Sequence, residues 1–163
     1  MKLDEILSTV YPYEFKDEDD FASQASFKTN DGSEVKVKFS FWDNPECWEI
    51  DFNRDGKHEL TNGGDALKIL STVIEIIKKF LESDKPKFFS FSANKKEESR
   101  VALYDRLAKR VLPGSNYADG TNRLAEIDHK IMPGFFKNKV KYFPAGEQRL
   151  YVRKDMFLWS LMR

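Results

Sequence analysis

The stretch DFNRDGKHELTN contains the residue types of a calcium-binding loop. Asp51, Asn53 and Asp55 occupy its first, third and fifth places, and Gly56 occupies the sixth, where an EF-hand loop turns sharply. The twelfth place holds Asn62, and a neutral amide cannot supply the charged two-oxygen ligand that an EF-hand takes from glutamate. The residues before the loop alternate like a strand, whereas an EF-hand needs an incoming helix. We therefore predict a tight hairpin turn that holds no metal ion.

The stretch TNGGDA follows directly and could bind an anion. A glycine-bearing loop between a strand and a helix leaves backbone N–H groups pointing outward, and the helix dipole favours a negative ligand such as a pyrophosphate. The alternative is a tight strand-to-helix turn with an aspartate as the helix cap, and the aspartate's own charge opposes a phosphate. The candidate residues are Thr61, Asn62, Gly63, Gly64, Asp65 and Ala66.

The elements that would position these residues begin with an antiparallel meander of four strands over residues 21–61. Alternating hydrophobicity and the turns NDGS, WDNPE and NRDG predict strands at 22–29, 34–42, 47–52 and 57–61. The side chains predicted to face inward are Val35, Val37, Phe39, Phe41, Trp48, Ile50 and Phe52. Ahead of the meander, we expect a short helix at 3–11 and an acidic connecting segment at 15–20.

Two helices and two further strands are predicted after the meander, which gives an α+β single domain over residues 1–163. A long helix from Asp65 to about residue 81 is followed by a central strand at 87–93, a helix at 99–112 that Ser99 caps, and a last strand at 148–154. Residues 113–146 form an insertion, and residues 156–163 an apolar carboxy-terminal tail. The predicted apolar stripe of the long helix is Leu67, Leu70, Ile74, Ile77, Phe80 and Leu81, and that of the second helix is Val101, Leu103 or Tyr104, Leu107 and Val111.

Composition narrows the function classes. Lys+Arg 27 against Asp+Glu 27 gives no net charge, so a general electrostatic grip on nucleic acid is not favoured. The single Cys47 cannot form an intrachain disulfide. Charges interrupt the most apolar segment, ALKILSTVIEIIKKFL, so we predict no membrane span. We expect a soluble, cytoplasmic protein.

The order of meander, glycine loop, long helix, strand, helix and final strand resembles the GNAT acyltransferase fold. In that family the loop after the fourth strand reads Q/R-x-x-G-x-G/A and binds the pyrophosphate of coenzyme A. TNGGDA fits its glycine and alanine places, while Thr61 stands where the family has Gln or Arg. The resemblance implies acetyl-CoA or another acyl-CoA as the cofactor, and it implies that coenzyme A enters between the strand before the loop and the strand KFFSFSA.

The resemblance also implies candidate catalytic residues. Leu103 and Tyr104 stand where the family often has a Leu-Tyr pair whose tyrosine is a general acid for the departing thiolate. Glu59, on the strand that enters the loop, is the candidate base that would deprotonate an amine, with Glu49 as the second choice. The alternative for Tyr104 is a core aromatic residue, and the alternative for both glutamates is an exposed strand position.

A non-enzymatic function is the second hypothesis. The segments GDALKILSTVIEII and SRVALYDRLAKRV resemble small proteins of tailed bacteriophages, many of which look like degenerate GNAT domains. The chain would then be a phage accessory or virion protein that binds a host or phage protein. We expect either of two surfaces to bind the partner: the tail MFLWSLMR, or a basic patch on the second helix formed by Arg100, Arg106, Lys109 and Arg110.

Overall fold

The computed structural model describes residues 9–42, 47–56, 65–94, 98–121 and 146–155. Seven strands and two helices lie in these ranges: β1 Glu14–Asp19, β2 Ala22–Lys28, β3 Glu34–Trp42, β4 Cys47–Arg54, α1 Ala66–Asp84, β5 Phe88–Asn94, α2 Glu98–Val111, β6 Tyr117–Asp119 and β7 Gly146–Arg153. The strands are hydrogen-bonded in the order β1-β2-β3-β4-β5-β7-β6 and include both parallel and antiparallel pairs. The predicted α+β class is confirmed.

The chain divides into two compact units. Unit 1 contains residues 1–40 and 51–84, and unit 2 contains residues 41–50 and 85–163. The prediction of a single domain over the whole chain stays a prediction. Neither helix in the described part of the chain is long and apolar enough to cross a lipid bilayer.

In unit 1, the strands β1, β2 and β3 form an antiparallel sheet that is closed by tight turns. Thr29 and Ser33 close the predicted NDGS turn with a backbone hydrogen bond of 2.9 Å, and Gly32 takes the left-handed φ of 84° that such turns require. Val35, Val37 and Phe39 are buried, as the alternation predicts. Phe39 stacks on Phe80 of α1 with ring centroids 4.0 Å apart, and this pair lies in the core of unit 1.

The buried face of α1 differs from the predicted stripe. Leu67 is 45% exposed and Ile74 is half-buried, whereas Ile69, Val73 and Ile76 are fully buried. The other four residues of the predicted stripe, Leu70, Ile77, Phe80 and Leu81, are buried as predicted, so the buried face overlaps the predicted one but is turned away from Leu67.

In unit 2, the first half of β4 pairs parallel to β5 through Trp48 with Phe89 and Glu49 with Ser90. β5 then pairs antiparallel to β7, and β7 pairs antiparallel to β6. Neighbouring residues of β5 and β7 are buried on both sides of the sheet, which explains the continuous apolar content of β5 and confirms its prediction as a central strand. On one side α2 covers β5, where Tyr104 stacks on Phe91 at 4.8 Å.

Several predicted boundaries are wrong. The acidic segment predicted as a connection is the edge strand β1, and the first residues of the predicted insertion include the short strand β6. Residues 9–11 are not helical, and the rest of the predicted helix 3–11 lies outside the described residues. The predicted strand at 57–61, the tail at 156–163 and most of the insertion also lie outside them. Ser99 is the second residue of α2 and not its cap.

We expect Phe39→Ala to reduce the free energy of unfolding by about 3–5 kcal/mol, because it removes a fully buried ring and leaves a cavity against Phe80. The control is Phe21→Ala in the same unit, which changes a ring that is 55% exposed and should alter stability by no more than about 0.5 kcal/mol. Urea unfolding of both variants measures the difference. Equal losses would contradict this description of the core.

Candidate functional site

The described part of the candidate anion loop is its last two residues. Thr61, Asn62, Gly63 and Gly64 lie outside the described residues. Ala66 is the first residue of α1, and the first intrahelical hydrogen bond of 3.0 Å runs from the Ile69 N–H to the Asp65 carbonyl oxygen. The N–H groups of the first turn before Ile69 therefore precede the helical hydrogen-bond ladder. The prediction that a helix begins at the end of TNGGDA is confirmed.

The carboxylate of Asp65 contacts two partners from other segments of unit 1. The Tyr11 hydroxyl donates a hydrogen bond of 2.6 Å to Asp65 Oδ2, and the Arg54 guanidinium lies 4.0 Å from Asp65 Oδ1. Asp65 is therefore more than a possible helix cap, because a cation and a hydroxyl offset its negative charge. This removes much of the electrostatic objection to an anion at the start of α1.

Arg54 connects the start of α1 to the turn between β2 and β3. The Arg54 side chain is 9% exposed, and Nη2 donates to Asp31 Oδ2 at 2.8 Å. Asp31 also accepts hydrogen bonds from the Ser33 hydroxyl and the Thr29 hydroxyl. These hydroxyl donors, together with the Ser33 N–H and Arg54, hold the pKa of Asp31 well below its usual range.

Tyr11 fixes the position of Asp65. Its backbone N–H donates to the Thr72 hydroxyl at 2.9 Å, its ring stacks on Phe27 at 5.6 Å, and Lys68 Nζ lies 4.3 Å from the ring centroid. Burial and the hydrogen bond to Asp65 raise the pKa of the Tyr11 hydroxyl. Tyr11 is therefore a neutral hydrogen-bond donor to Asp65 near neutral pH.

Tyr104, the candidate acid, is a buried residue of unit 2. Its side chain is 1% exposed, and the Tyr104 hydroxyl oxygen accepts a hydrogen bond of 2.6 Å from Arg100 Nε. Because the oxygen acts as an acceptor in this bond, the hydroxyl proton is not used by it. This environment agrees with the core alternative for Tyr104, and its catalytic role stays a prediction.

The other candidate residues are placed as follows. Glu59 lies outside the described residues, and Glu49 is half-buried on β4. Arg100 is 6% exposed, so the prediction that it lies on the outer face of the second helix is wrong, because its side chain reaches inward to Tyr104. Arg106 and Lys109 are exposed, as is Arg110.

The residues of the calcium-like loop make the contacts of a turn. Asn53 Oδ1 accepts from the Gly56 N–H at 3.1 Å, and Asp55 Oδ1 accepts from the Glu34 N–H at 2.8 Å. Asp55 and Gly56 have left-handed φ values of 50° and 78°. The predicted tight turn is confirmed. No metal-binding group of three or more His, Cys, Asp or Glu residues occurs among the residues that the structure describes.

Sequence reasoning missed Arg54 and Tyr11. The sequence does indicate that Arg54 is buried, because Ile50 and Phe52 face inward and the period of two places residue 54 on the same buried face. An arginine at an inward position needs carboxylate partners, but the sequence does not indicate that Asp31 and Asp65 supply them. The sequence around Tyr11 does not indicate its role, since its side chain bonds to Asp65 and its backbone to Thr72, which lie 54 and 61 residues away.

Comparisons with known proteins give one structural similarity. No protein-family model matches the chain, and no curated protein matches it. Among solved structures, the chain is similar to a chimera of the spermidine N-acetyltransferase SpeG from Vibrio cholerae and hSSAT, with a TM-score of 0.47 and 10% identity over 86% of this chain and 70% of that one. At this TM-score the similarity does not by itself show a shared fold.

We expect Asp31→Asn to lower the denaturation midpoint at pH 6. The native state holds the pKa of Asp31 below its ordinary value of 3.8, so the carboxylate stabilises the fold above that pH and this contribution is lost as the pH falls below it. Thermal unfolding from pH 6 down to pH 2.5 should show the gap between wild type and variant narrowing. Asp20→Asn, an exposed aspartate of the same unit, is the control. A difference in denaturation midpoint between wild type and Asp31→Asn that does not change with pH would contradict a lowered pKa of Asp31 in the folded protein.

Proposed function

We propose that the chain is an acyl-CoA-dependent N-acyltransferase-like protein whose loop Thr61–Ala66 binds the pyrophosphate of the cofactor. The observation that carries the proposal is the succession of β4, loop, α1 and β5, in which β4 and β5 are parallel. The resemblance to the GNAT family rests on the order of meander, loop, long helix and strand, in which the predicted strand at 57–61, outside the described residues, enters the loop. Ligands of sheets with parallel strands bind at the carboxyl ends of the strands, which is the end of β4 that leads into the loop.

The start of α1 fits a pyrophosphate in its donors and its charge. Gly63 and Gly64 allow a close backbone approach, and the N–H groups of Ala66 and Leu67 precede the first intrahelical hydrogen bond. Asp65 would repel an anion if it stood alone, but its carboxylate is hydrogen-bonded by Tyr11 and lies near the buried guanidinium of Arg54.

The residues proposed for acyl transfer have separate roles. A bound acyl-CoA supplies the activated thioester. Glu59 would accept the proton of the amine, and Tyr104 would donate a proton to the leaving sulfur. The hydrogen bond from Arg100 to the Tyr104 oxygen supports the second role, because a guanidinium at 2.6 Å stabilises the negative charge that remains when the phenol loses its proton.

A non-enzymatic interaction protein is the second candidate function. The observation in its favour is that Tyr104 is 1% exposed, as expected for a core residue of a scaffold without catalytic activity. The exposed residues Arg106, Lys109 and Arg110 of α2 would then form the contact surface with a protein partner, with the tail at 156–163 as the other candidate. The bacteriophage origin, the virion location and the cytoplasmic location stay predictions.

Cofactor binding is tested by thermal shift and calorimetry with acetyl-CoA and with coenzyme A. A ligand at a hundred times its Kd should raise the free energy of unfolding by about 2.7 kcal/mol. Gly64→Trp should abolish this stabilisation, because its side chain would occupy the space of the pyrophosphate. Lys78→Trp, which adds the same bulk at an exposed position of α1, should keep it. Stabilisation of both variants would exclude the loop as the site, and no shift of the wild type at millimolar cofactor would favour the interaction protein.

The role of Tyr104 is tested with Tyr104→Phe. We expect the rate of thiol release from acetyl-CoA, measured with the best primary amine of a panel, to fall by about 100-fold or more while the Kd of coenzyme A is unchanged. Tyr13→Phe removes a phenol hydroxyl from unit 1 and should leave the rate as it is. A rate within a few-fold of wild type for Tyr104→Phe would assign Tyr104 to the core only.

A further inference from the structure

Unit 2 contains an open cleft that the proposed acyl transfer does not use. The cleft has a volume of about 680 Å³, which lies in the usual range for small-molecule sites. The residues that line it come from the carboxy-terminal half of α2, from β6 and β7, and from the apolar pair Leu112 and Pro113. Tyr151 of β7 also lines the cleft although its side chain is only 1% exposed.

The Tyr151 hydroxyl has no hydrogen-bond partner among the residues that the structure describes, although the ring is firmly held. The ring stacks on Phe89 at 4.8 Å and meets Phe91 edge-on at 5.8 Å. By contrast, the neighbouring Tyr117 hydroxyl donates to the Pro86 carbonyl oxygen at 2.6 Å. Tyr151 lines the cleft, so a ligand atom can reach its hydroxyl without displacing a hydrogen-bond partner among the described residues.

The charge next to the Tyr151 hydroxyl is negative. Burial raises the pKa of this phenol, and the carboxylates of Asp119 and Asp105 raise it further, while Arg149 opposes them. Asp119 is the cross-strand neighbour of Tyr151, and Asp105 extends from α2. A neutral phenol oxygen whose cross-strand neighbour is a carboxylate is an acceptor site for a cationic N–H donor.

The carboxylates of Asp105 and Asp119 differ in whether a neighbouring cation offsets their charge. Asp105 Oδ1 is 2.9 Å from Arg149 Nε, so its charge is largely offset. Asp119 Oδ1 accepts the Thr121 N–H at 2.8 Å, which leaves its charge without a cation among the contacts of the described residues. Asp119 is therefore the main counter-charge for a cation bound at Tyr151.

Two exposed lysines of the cleft would bind the other end of a ligand. Lys109 of α2 and Lys154, which follows β7, line the same cleft and are exposed. Because both lysines are exposed and Tyr151 is buried, the lysines belong to the mouth of the cleft and the phenol to its inner side. A ligand that satisfies both ends carries an ammonium group inward and an anionic group outward.

From this arrangement we infer that the cleft of unit 2 binds a small zwitterionic amine, with its ammonium group at the Tyr151 hydroxyl and Asp119 and its carboxylate toward Lys109 and Lys154. The apolar wall of Leu112 and Pro113 contacts the carbon chain between the two charges. This site is independent of the proposed acyl-CoA site and stands if that proposal fails.

The test is a calorimetric and NMR titration of the full chain with 5-aminopentanoate, pentylamine and pentanoate at equal ionic strength. We expect 5-aminopentanoate to bind one to one, pentylamine to bind more weakly, and pentanoate to bind most weakly. Tyr151→Phe keeps the ring but removes the acceptor, and it should weaken 5-aminopentanoate binding about tenfold or more, as should Asp119→Asn. Tyr13→Phe, which removes a phenol hydroxyl outside the cleft, should bind as wild type does.

Three results would overturn the inference. They are no saturable binding of 5-aminopentanoate up to tens of millimolar, binding that Tyr151→Phe leaves unchanged, and equal affinity for 5-aminopentanoate and pentanoate. Lys109→Ala combined with Lys154→Ala separates the two ends, since it should reduce 5-aminopentanoate binding to the level of pentylamine and leave pentylamine binding unchanged. A double variant that binds 5-aminopentanoate as wild type does would contradict the outward carboxylate.

Discussion

The parallel pairing of β4 and β5 is the constraint on which the organisation of this chain depends. Two adjacent parallel strands cannot be joined by a tight turn, so the chain must cross over, and here it does so through the 19-residue helix α1. The crossover orients α1 so that its amino-terminal end follows the carboxyl end of β4, with the TNGGDA loop between them. The candidate anion site thus follows from strand direction as much as from the glycines.

The second requirement is that the start of α1 tolerates Asp65. An aspartate there is favoured by the helix dipole but opposes an anionic ligand, and both effects act on the same few N–H groups. Arg54, buried and within 4.0 Å of Asp65, changes this balance, and Tyr11 keeps the carboxylate oriented by its hydrogen bond. Asp31, in the β2–β3 turn, pairs with the other terminal nitrogen of the same guanidinium. The charge at the start of α1 is therefore set by side chains from three separate segments.

The sequence predicts those strands and turns whose residue pattern lies within a short stretch of the chain. The hairpin of β2 and β3 could be predicted because its alternation and the NDGS turn lie within about twenty residues, and the turn at residues 53–56 could be predicted for the same reason. β1 was missed because a charged sequence reads as a solvated connection, yet charges are what an edge strand carries against unwanted pairing. β6 has three residues, which is too short for any period to show.

The site was less predictable because its contacts are distant in sequence. Asp65 is predicted as a helix cap, but the residues that offset its charge, Arg54 and Tyr11, lie 11 and 54 residues away in the sequence. Only the burial of Arg54 can be read from the sequence, because residue 54 continues the inward-facing alternation of β4. Likewise, nothing local separates Tyr151, whose hydroxyl faces a cleft, from Tyr117, whose hydroxyl is bonded to Pro86. Tertiary packing alone distinguishes the two residues.

The central claim, that the loop before α1 binds the pyrophosphate of coenzyme A, is tested most directly by hydrogen–deuterium exchange with and without saturating coenzyme A. The account predicts slower exchange in peptides that cover residues 61–70, because the N–H groups of the loop and of the first turn of α1 would donate to phosphate oxygens. Unchanged exchange in those peptides, with coenzyme A bound and protection found only in other segments, would contradict it.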